Sequence, residues 1–378
     1  MAISILEVKS KKQKSAFIEF PHTLYQSEKN YVPELDLSVK DLLNEKKNPF
    51  FHHSEAKLFI AFNEGEIVGR IAGIKNNRYN EYHGSNIGFF GFFDCINNQE
   101  VANALLNKAE EYLKPFKVEE MHGPTNFTTN DTAGVLVDGF NAPPVFGMTY
   151  NFPYYHDLLS TYGLTKEMDL FAYWIGTQSV NKKTFKLSHL LEERLKRDNI
   201  VIRNMTKKSQ KADLKNIKDI YIQAWEKNWG FVPPTDAEYD HLAEGLKMLI
   251  DHDFLYIAEK DGEMIGFGAG IPDINEIAIN FKKGKLLPFN IFKLLMNKKK
   301  TRKIRIILLG VLEEYRQKGV AAILFARFIE TAQKRKIDGG EASWVLESNE
   351  MMNKAAINLN GEKYKTYRIY SKKLNNSF

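Results

Sequence analysis

The stretch from Leu58 to Ile74 returns 197 residues later as the stretch from Leu255 to Ile271, identical at nine of seventeen positions. Each stretch holds two apolar runs around a turn of one acidic residue and one glycine, Glu64-Gly65 or Asp261-Gly262, which is the pattern of a β-hairpin. The flanks repeat in the same order. Ile3 to Ser10 answers Ile200 to Lys207 as a strand, and Phe89 to Asp94 answers Leu308 to Glu313. The helical run Val101 to Leu106 answers Val320 to Phe325, and Thr125 to Asn130 answers Ser348 to Asn353. Matched blocks in one order predict a duplicated domain. A chain of 378 residues also exceeds what one hydrophobic core usually supports, so domains are expected at 1–178 and 179–378, divided in the polar stretch Thr177 to Lys183.

Composition narrows the class. Apolar residues form 43% of the chain, ample for packed cores. No run of about 18 apolar residues exists to span a bilayer, and Met1 to Ser10 lacks the basic-then-apolar pattern of a signal peptide. A cytoplasmic protein is expected. One cysteine, Cys95, excludes an internal disulfide and any cysteine-based zinc pattern, and His52 and His53 are too close in sequence to share a metal, so no metal is expected. The net charge of +6 is unevenly placed: residues 1–178 carry −6 and residues 179–378 carry +12. Ten of the basic residues lie between Lys282 and Arg305, a stretch without an acidic residue. The second half is therefore the expected host of an anionic ligand.

In that half the order strand, helix, helix, hairpin, strand, helix, strand, helix, strand runs from Asn199 to Lys372, predicting an α/β (α+β mixed sheet) fold with helices on both faces. The chemistry is expected where the apolar run Ile304 to Leu312 meets the helix that starts at Val320. Arg316, Gln317 and Lys318 set side-chain donors beside Gly319, and the opening helix presents unpaired N–H groups and the positive end of its dipole. Such a turn is an anion site suited to phosphate. No Walker motif is present, since Ile279 holds the upstream glycine position, and no Gly-x-Ser-x-Gly elbow occurs.

The hexapeptide Arg316 to Ala321 satisfies (Gln or Arg)-x-x-Gly-x-(Gly or Ala), and with the elements around it resembles the GNAT superfamily of N-acetyltransferases. The resemblance covers residues 199–372 and reaches residues 1–175 through the repeat. It implies two tandem GNAT-like acyl-coenzyme A N-acyltransferase domains, acting on acetyl-coenzyme A or another acyl-coenzyme A. The backbone of Arg316, Gln317, Lys318, Gly319, Val320 and Ala321 would hold the pyrophosphate. The strand around Val311 would pair with the pantetheine arm through a splayed gap in the sheet, and Asn353 would contact the same cofactor. An amine of a small molecule or peptide would attack the thioester, with a base and an acid handling protons. Where the family usually has a tyrosine acid this chain has Asn360, which shifts that expectation to Tyr364, with Tyr367 as the alternative; Glu347 and Glu276 are the candidate bases. Trp229, Asn275 and Asn126 are candidates for the acceptor site.

Aligned on Gly91 and Gly310, the first copy sets Asn97 to Ala102 opposite Arg316 to Ala321, with Glu100 opposite Gly319. A carboxylate near a phosphate is repelled, and a side chain at the glycine position blocks close backbone approach. Only the second copy is therefore expected to bind coenzyme. The basic stretch Lys282 to Arg305, mixed with Leu286, Leu287, Phe289, Ile291, Phe292, Leu294 and Leu295, suits a lid, a membrane-surface helix or a patch for RNA phosphates. Two other functions fit the same residues: a non-catalytic acyl-coenzyme A sensor, and an aminoacyl transferase of the Fem type that draws its acyl group from charged tRNA.

Overall fold

The computed structural model describes residues 3–374. The first half of the chain runs β1 (Ser4–Glu7), α1 (Lys11–Leu24), β2 (Glu55–Asn63), β3 (Glu66–Lys75), β4 (Ile87–Cys95), α2 (Gln99–Leu113), β5 (Glu120–Gly123), β6 (Val135–Asp138) and β7 (Thr165–Gly176). The second runs α3 (Lys182–Arg197), β8 (Ile200–Asn204), α4 (Gln210–Trp225), α5 (Asp236–Lys247), β9 (Leu255–Lys260), β10 (Glu263–Pro272), α6 (Asn290–Asn297), β11 (Lys303–Val311), α7 (Val320–Lys334), β12 (Gly339–Leu346), α8 (Glu350–Asn358) and β13 (Glu362–Lys373).

The repeat is visible in the turns. Glu64 and Gly65 have φ of 51° and 87°, and Asp261 and Gly262 have 52° and 87°. Two successive left-handed residues make the type I′ turn that matches strand twist, which explains why glycine stands second in both hairpins. Both hairpins also carry a bulge, at Ala61/Phe62 and at Met264/Gly266.

Packing divides the chain into two compact units: Met1–Leu170 with Ala278–Ile291 and Lys365–Phe378, and Phe171–Ile277 with Phe292–Tyr364. A cut at 178/179 groups three segments differently. The strand from Phe171 and the closing strand from Lys365 each fall in the unit opposite to the half that encodes them, and the first part of the basic stretch belongs to the first unit.

In the first unit β1, β2, β3 and β4 pair antiparallel, β4 pairs β5 in parallel, and β13 pairs β5 and β6 antiparallel. Helix α2 covers this sheet with Val101, Leu105, Leu106, Ala109 and Leu113, all buried. In the second unit β8, β9, β10 and β11 pair antiparallel, and β11 pairs β12 in parallel. One face is covered by α7 through Val320, Ile323, Leu324 and Phe328, each at most 1% exposed. The other is covered by α4 through Ile217 and Ile220 against Ile257 and Phe267. Helices on both faces of a mixed sheet are what the pattern predicts. Burying a side chain such as Leu324 contributes roughly 1.5–3 kcal/mol, so α7 is firmly seated. Its polar flank is not left to solvent as its charges suggest: Arg327 bonds both Glu192 carboxylate oxygens at 2.7 Å, and Gln333 donates to the Thr177 carbonyl. Helix α3 covers that side.

Candidate functional site

Strands β11 and β12 pair only from Lys303 with Gly339 to Ile306 with Ala342, although β11 continues to Val311 and β12 to Leu346. The strands part after that rung. The opposite edge of β11 stays paired with β10 as far as Val311 with Gly266. Residues Ile307 to Val311 thus border a gap on one side, and a strand edge of this kind can take up an extended ligand by main-chain hydrogen bonds.

The turn at the mouth of the gap fits a phosphate ligand. Helix α7 is capped by Gly319, with φ 86° and no side-chain cap, so its first amides are not satisfied by a capping side chain. A Cβ on Gly319 would lie 2.4 Å from Leu191 Cδ2. Gln317 and Lys318 are exposed, and the Lys318 ammonium sits 5.6 Å from the Tyr315 ring centre. Arg316 has a different role from the expected phosphate donor: its Nε donates to the Val311 carbonyl at 3.1 Å and its other nitrogen to the Ala224 carbonyl at 3.3 Å. The guanidinium braces the turn against the strand end and against α4. Val320 is fully buried and Ala321 half-buried behind it. Uncapped amides and an exposed lysine suit the pyrophosphate of an acyl-coenzyme A, with β11 beside them for the pantetheine arm, while the missing side chain of Gly319 makes room for Leu191.

The remaining expected residues divide by position. Asn353 lies at the far wall of the gap, where its amide donates to the carbonyls of Leu346, Glu347 and Asn349 and accepts from the Tyr173 hydroxyl at 2.8 Å. It ties α8 to the end of β12. Glu347, half-buried, follows that strand end. Glu276 lies elsewhere: its carboxylate accepts from the Arg302 amide at 2.6 Å, before β11 begins, so the length of the strand, roughly 26 Å, separates it from the turn. Asn275 sits beside it, its amide bonded to Asp273. Trp229, half-buried, follows α4, the helix that Arg316 grips. Asn126 belongs to the first unit, where it lines a pocket of about 90 Å³ with Tyr25, Arg70, Asp94 and Tyr150.

Tyr364 has a partner the sequence reading did not single out. Its hydroxyl donates to Glu341, a fully buried carboxylate whose other oxygen accepts from the Ser343 hydroxyl. Arg305 Nε donates to that Ser343 oxygen at 3.1 Å, which directs the serine proton toward Glu341. Burying a carboxylate is costly without such donors. Glu341 pairs with Arg305 one rung before the strands part, so this cluster stands at the apex of the gap. A charged residue opening the apolar strand to Leu346 was the available signal. Asn360, which replaces the expected tyrosine, ends α8 in a left-handed conformation (φ 57°) and donates to the Ser179 carbonyl. Asparagine tolerates that conformation where tyrosine is strained.

The first copy treats the same place differently, and its alignment on Gly91 needs correcting. The amide of Ile96 bonds the Val68 carbonyl as Leu312 bonds Ile265, and Val68 and Ile265 are repeat partners. Hence Ile96 matches Leu312. From there the first chain reaches its helix cap, Asn98, after one residue, whereas the second runs through Glu313–Arg316 to Gly319. The Gly319 turn has no counterpart in the first copy, rather than a substituted one. Asn98 Oδ1 also accepts from the amides of Glu100 and Val101 at 2.9 and 3.1 Å. Among the described residues no group of three His, Cys, Asp or Glu side chains is arranged to hold a metal, and no helix is long and apolar enough to cross a membrane.

Comparison with known proteins adds three findings. A family model described as the acetyltransferase (GNAT) family matches residues 214–360. Protein YghO of Escherichia coli is 34% identical over 373 residues, covering 97% of this chain and 94% of that protein. A protein of Caulobacter vibrioides named bacterial ceramide synthase is 34% identical over 382 residues, covering 98% of each. Among solved structures, a tandem GNAT protein from the clavulanic acid biosynthesis pathway matches with a TM-score of 0.58 at 9% identity, covering 98% of both chains. That likeness shows the fold.

Proposed function

The chain belongs to the GNAT acetyltransferase family, and from that premise we propose that it transfers a fatty acyl group from coenzyme A to the amine of a long-chain amino alcohol, using a single coenzyme site in the second copy. The observation that carries the single site is the open edge of β11 beside the uncapped Gly319 turn, set against a first copy that lacks the turn. The acceptor class is taken from the relative named ceramide synthase, which aligns over 98% of both chains; a ceramide is an N-acylated long-chain amino alcohol.

Acyl-coenzyme A supplies the thioester carbonyl and the departing sulfur. The chain's own residues manage the protons. Glu341 receives the proton lost by the amine, and Tyr364 gives its hydroxyl proton to the departing sulfur. The hydrogen bond between the two then returns the proton from Glu341 to Tyr364. Glu347, at the mouth of the gap, orients the incoming amine.

The test is thiol release with acetyl- and palmitoyl-coenzyme A, each offered a long-chain amino alcohol in detergent micelles, a polyamine and a peptide amine. Release with palmitoyl-coenzyme A and the amino alcohol is expected. Release only with acetyl-coenzyme A and a soluble amine would replace the acceptor, and tight coenzyme binding without release on any amine would make the chain a sensor.

A further inference from the structure

Helix α6 turns its larger apolar side chains outward. Leu294 is fully buried, whereas Phe292, Leu295 and Met296, spaced to share one stripe, are all exposed, Phe292 at 63% and Met296 at 69%. A helix on a globular domain normally buries such a stripe, and exposed apolar residues gathered like this mark an interaction surface.

The charge around the stripe selects its partner. No acidic residue lies between Glu276 and Glu313. Lys293 on the helix, and Lys299 and Lys300 in the turn just after it, are exposed. The helix is only about 12 Å long, far short of a bilayer, and its length and composition suit lying flat in an interface. Phenylalanine, leucine and methionine enter the boundary of the acyl chains while lysines meet anionic headgroups. A nucleic acid would neutralise the lysines yet leave Leu295 and Met296 in water.

We propose that α6 docks the protein on the surface of an anionic lipid bilayer. This rests on the exposed helix and its charge, not on the acceptor assigned above. The test is sedimentation of the full chain with vesicles of phosphatidylglycerol and phosphatidylcholine in equal parts, and with vesicles of phosphatidylcholine alone. Binding to the anionic vesicles, weakened by salt, is expected. The variant Phe292→Asp/Met296→Asp and the variant Lys293→Glu/Lys299→Glu/Lys300→Glu are each expected to lower partitioning by about a hundredfold. Unchanged thermal melts show that both variants remain folded.

Equal partitioning of wild type and both folded variants would overturn the proposal, as would no binding by the wild type. Binding of a single-stranded RNA that survives Phe292→Asp/Met296→Asp and is lost in the lysine variant, without vesicle binding, would assign the surface to nucleic acid. Thiol release in micelles reads the acceptor and needs no vesicle, so failure of one reading leaves the other standing.

Discussion

Both copies part their central parallel strands at nearly the same rung, yet they use the space differently. Ile74 and Ile271 are repeat partners, paired with Phe89 and Arg305 respectively, so the last rung of the first copy, Phe89 with His122, corresponds to Arg305 with Glu341. Beyond it the first chain turns inward. The Thr125 amide bonds the Phe90 carbonyl at 2.8 Å, Asn126 Oδ1 accepts from the Phe92 amide at 2.8 Å, and a Cβ on Gly91 would fall 1.9 Å from the Thr125 carbonyl oxygen. In the second copy β12 runs on to Leu346 and α8 begins at Glu350. A splayed sheet becomes a site only if its own chain leaves the strand edge open. The helix ends teach the same: a capping asparagine adds about 1 kcal/mol to the fold, and a glycine there forgoes this and leaves the amides for a ligand.

The largest effect should come from Glu341→Gln, which keeps the size of the side chain but offers one acceptor where the carboxylate offers two, and cannot take a proton. We expect kcat to fall by about 10²–10⁴ with coenzyme affinity unchanged, while His122→Gln, its counterpart in the first copy, leaves kcat as it was. Equal loss of binding and turnover in Glu341→Gln would reduce this residue to a structural role.

Next comes Gly319→Glu. The new carboxylate beside phosphate costs roughly 1–4 kcal/mol, and φ of 86° disfavours any side chain. Coenzyme affinity by calorimetry should fall about a hundredfold, in a variant whose melt is lowered by the strain but still cooperative. The wild type should titrate at one coenzyme per chain; two sites per chain would erase the contrast between the copies.

A smaller change is expected from Asn126→Ala. It strips the acceptor from the buried Phe92 amide and should cost about 1–3 kcal/mol of stability, lowering the melting temperature without altering coenzyme affinity. An altered affinity would show that the closed gap still serves the ligand.

The smallest is a pH effect confined to the first copy. Burial, reinforced by Arg70, holds the His22 pKa down to about 4, and its ring bonds the Tyr31 hydroxyl. The unfolded chain therefore takes up the proton first. Stability is full above pH 6.5 and declines as pH falls toward 4, by about 1–3 kcal/mol at most. His22→Gln should flatten that decline, read from melts between pH 7 and pH 4.

Much of this was legible in the residues, because hairpins and amphipathic helices are local. Glu64-Gly65 and Asp261-Gly262 announce turns whose φ values only such sequences adopt readily, and Val320, Leu324 and Phe328 mark the face that α7 buries. The turn before α7 was also readable, since glycine before a helix has a backbone reason. What escaped depends on distant pairing. The match of Gly91 with Gly310 hid a difference in loop length that only the hydrogen bonds of Ile96 and Leu312 to the hairpins reveal. Glu341 looked like an ordinary strand residue until Tyr364 and Ser343 were brought to it. Arg316 passed for a ligand donor because its partner carbonyls, at Val311 and Ala224, carry no side-chain signature.

The strand from Lys365 that closes the first unit has a consequence for synthesis. Tyr370 pairs with Gly123 and Thr366 with Asp138, so the earlier-made sheet waits for residues that leave the ribosome after the body of the second copy. Domains made in series usually fold in order of emergence. Here the first copy exposes an unfinished edge while the second is translated, which makes that nascent interval the period most exposed to aggregation and most dependent on chaperones.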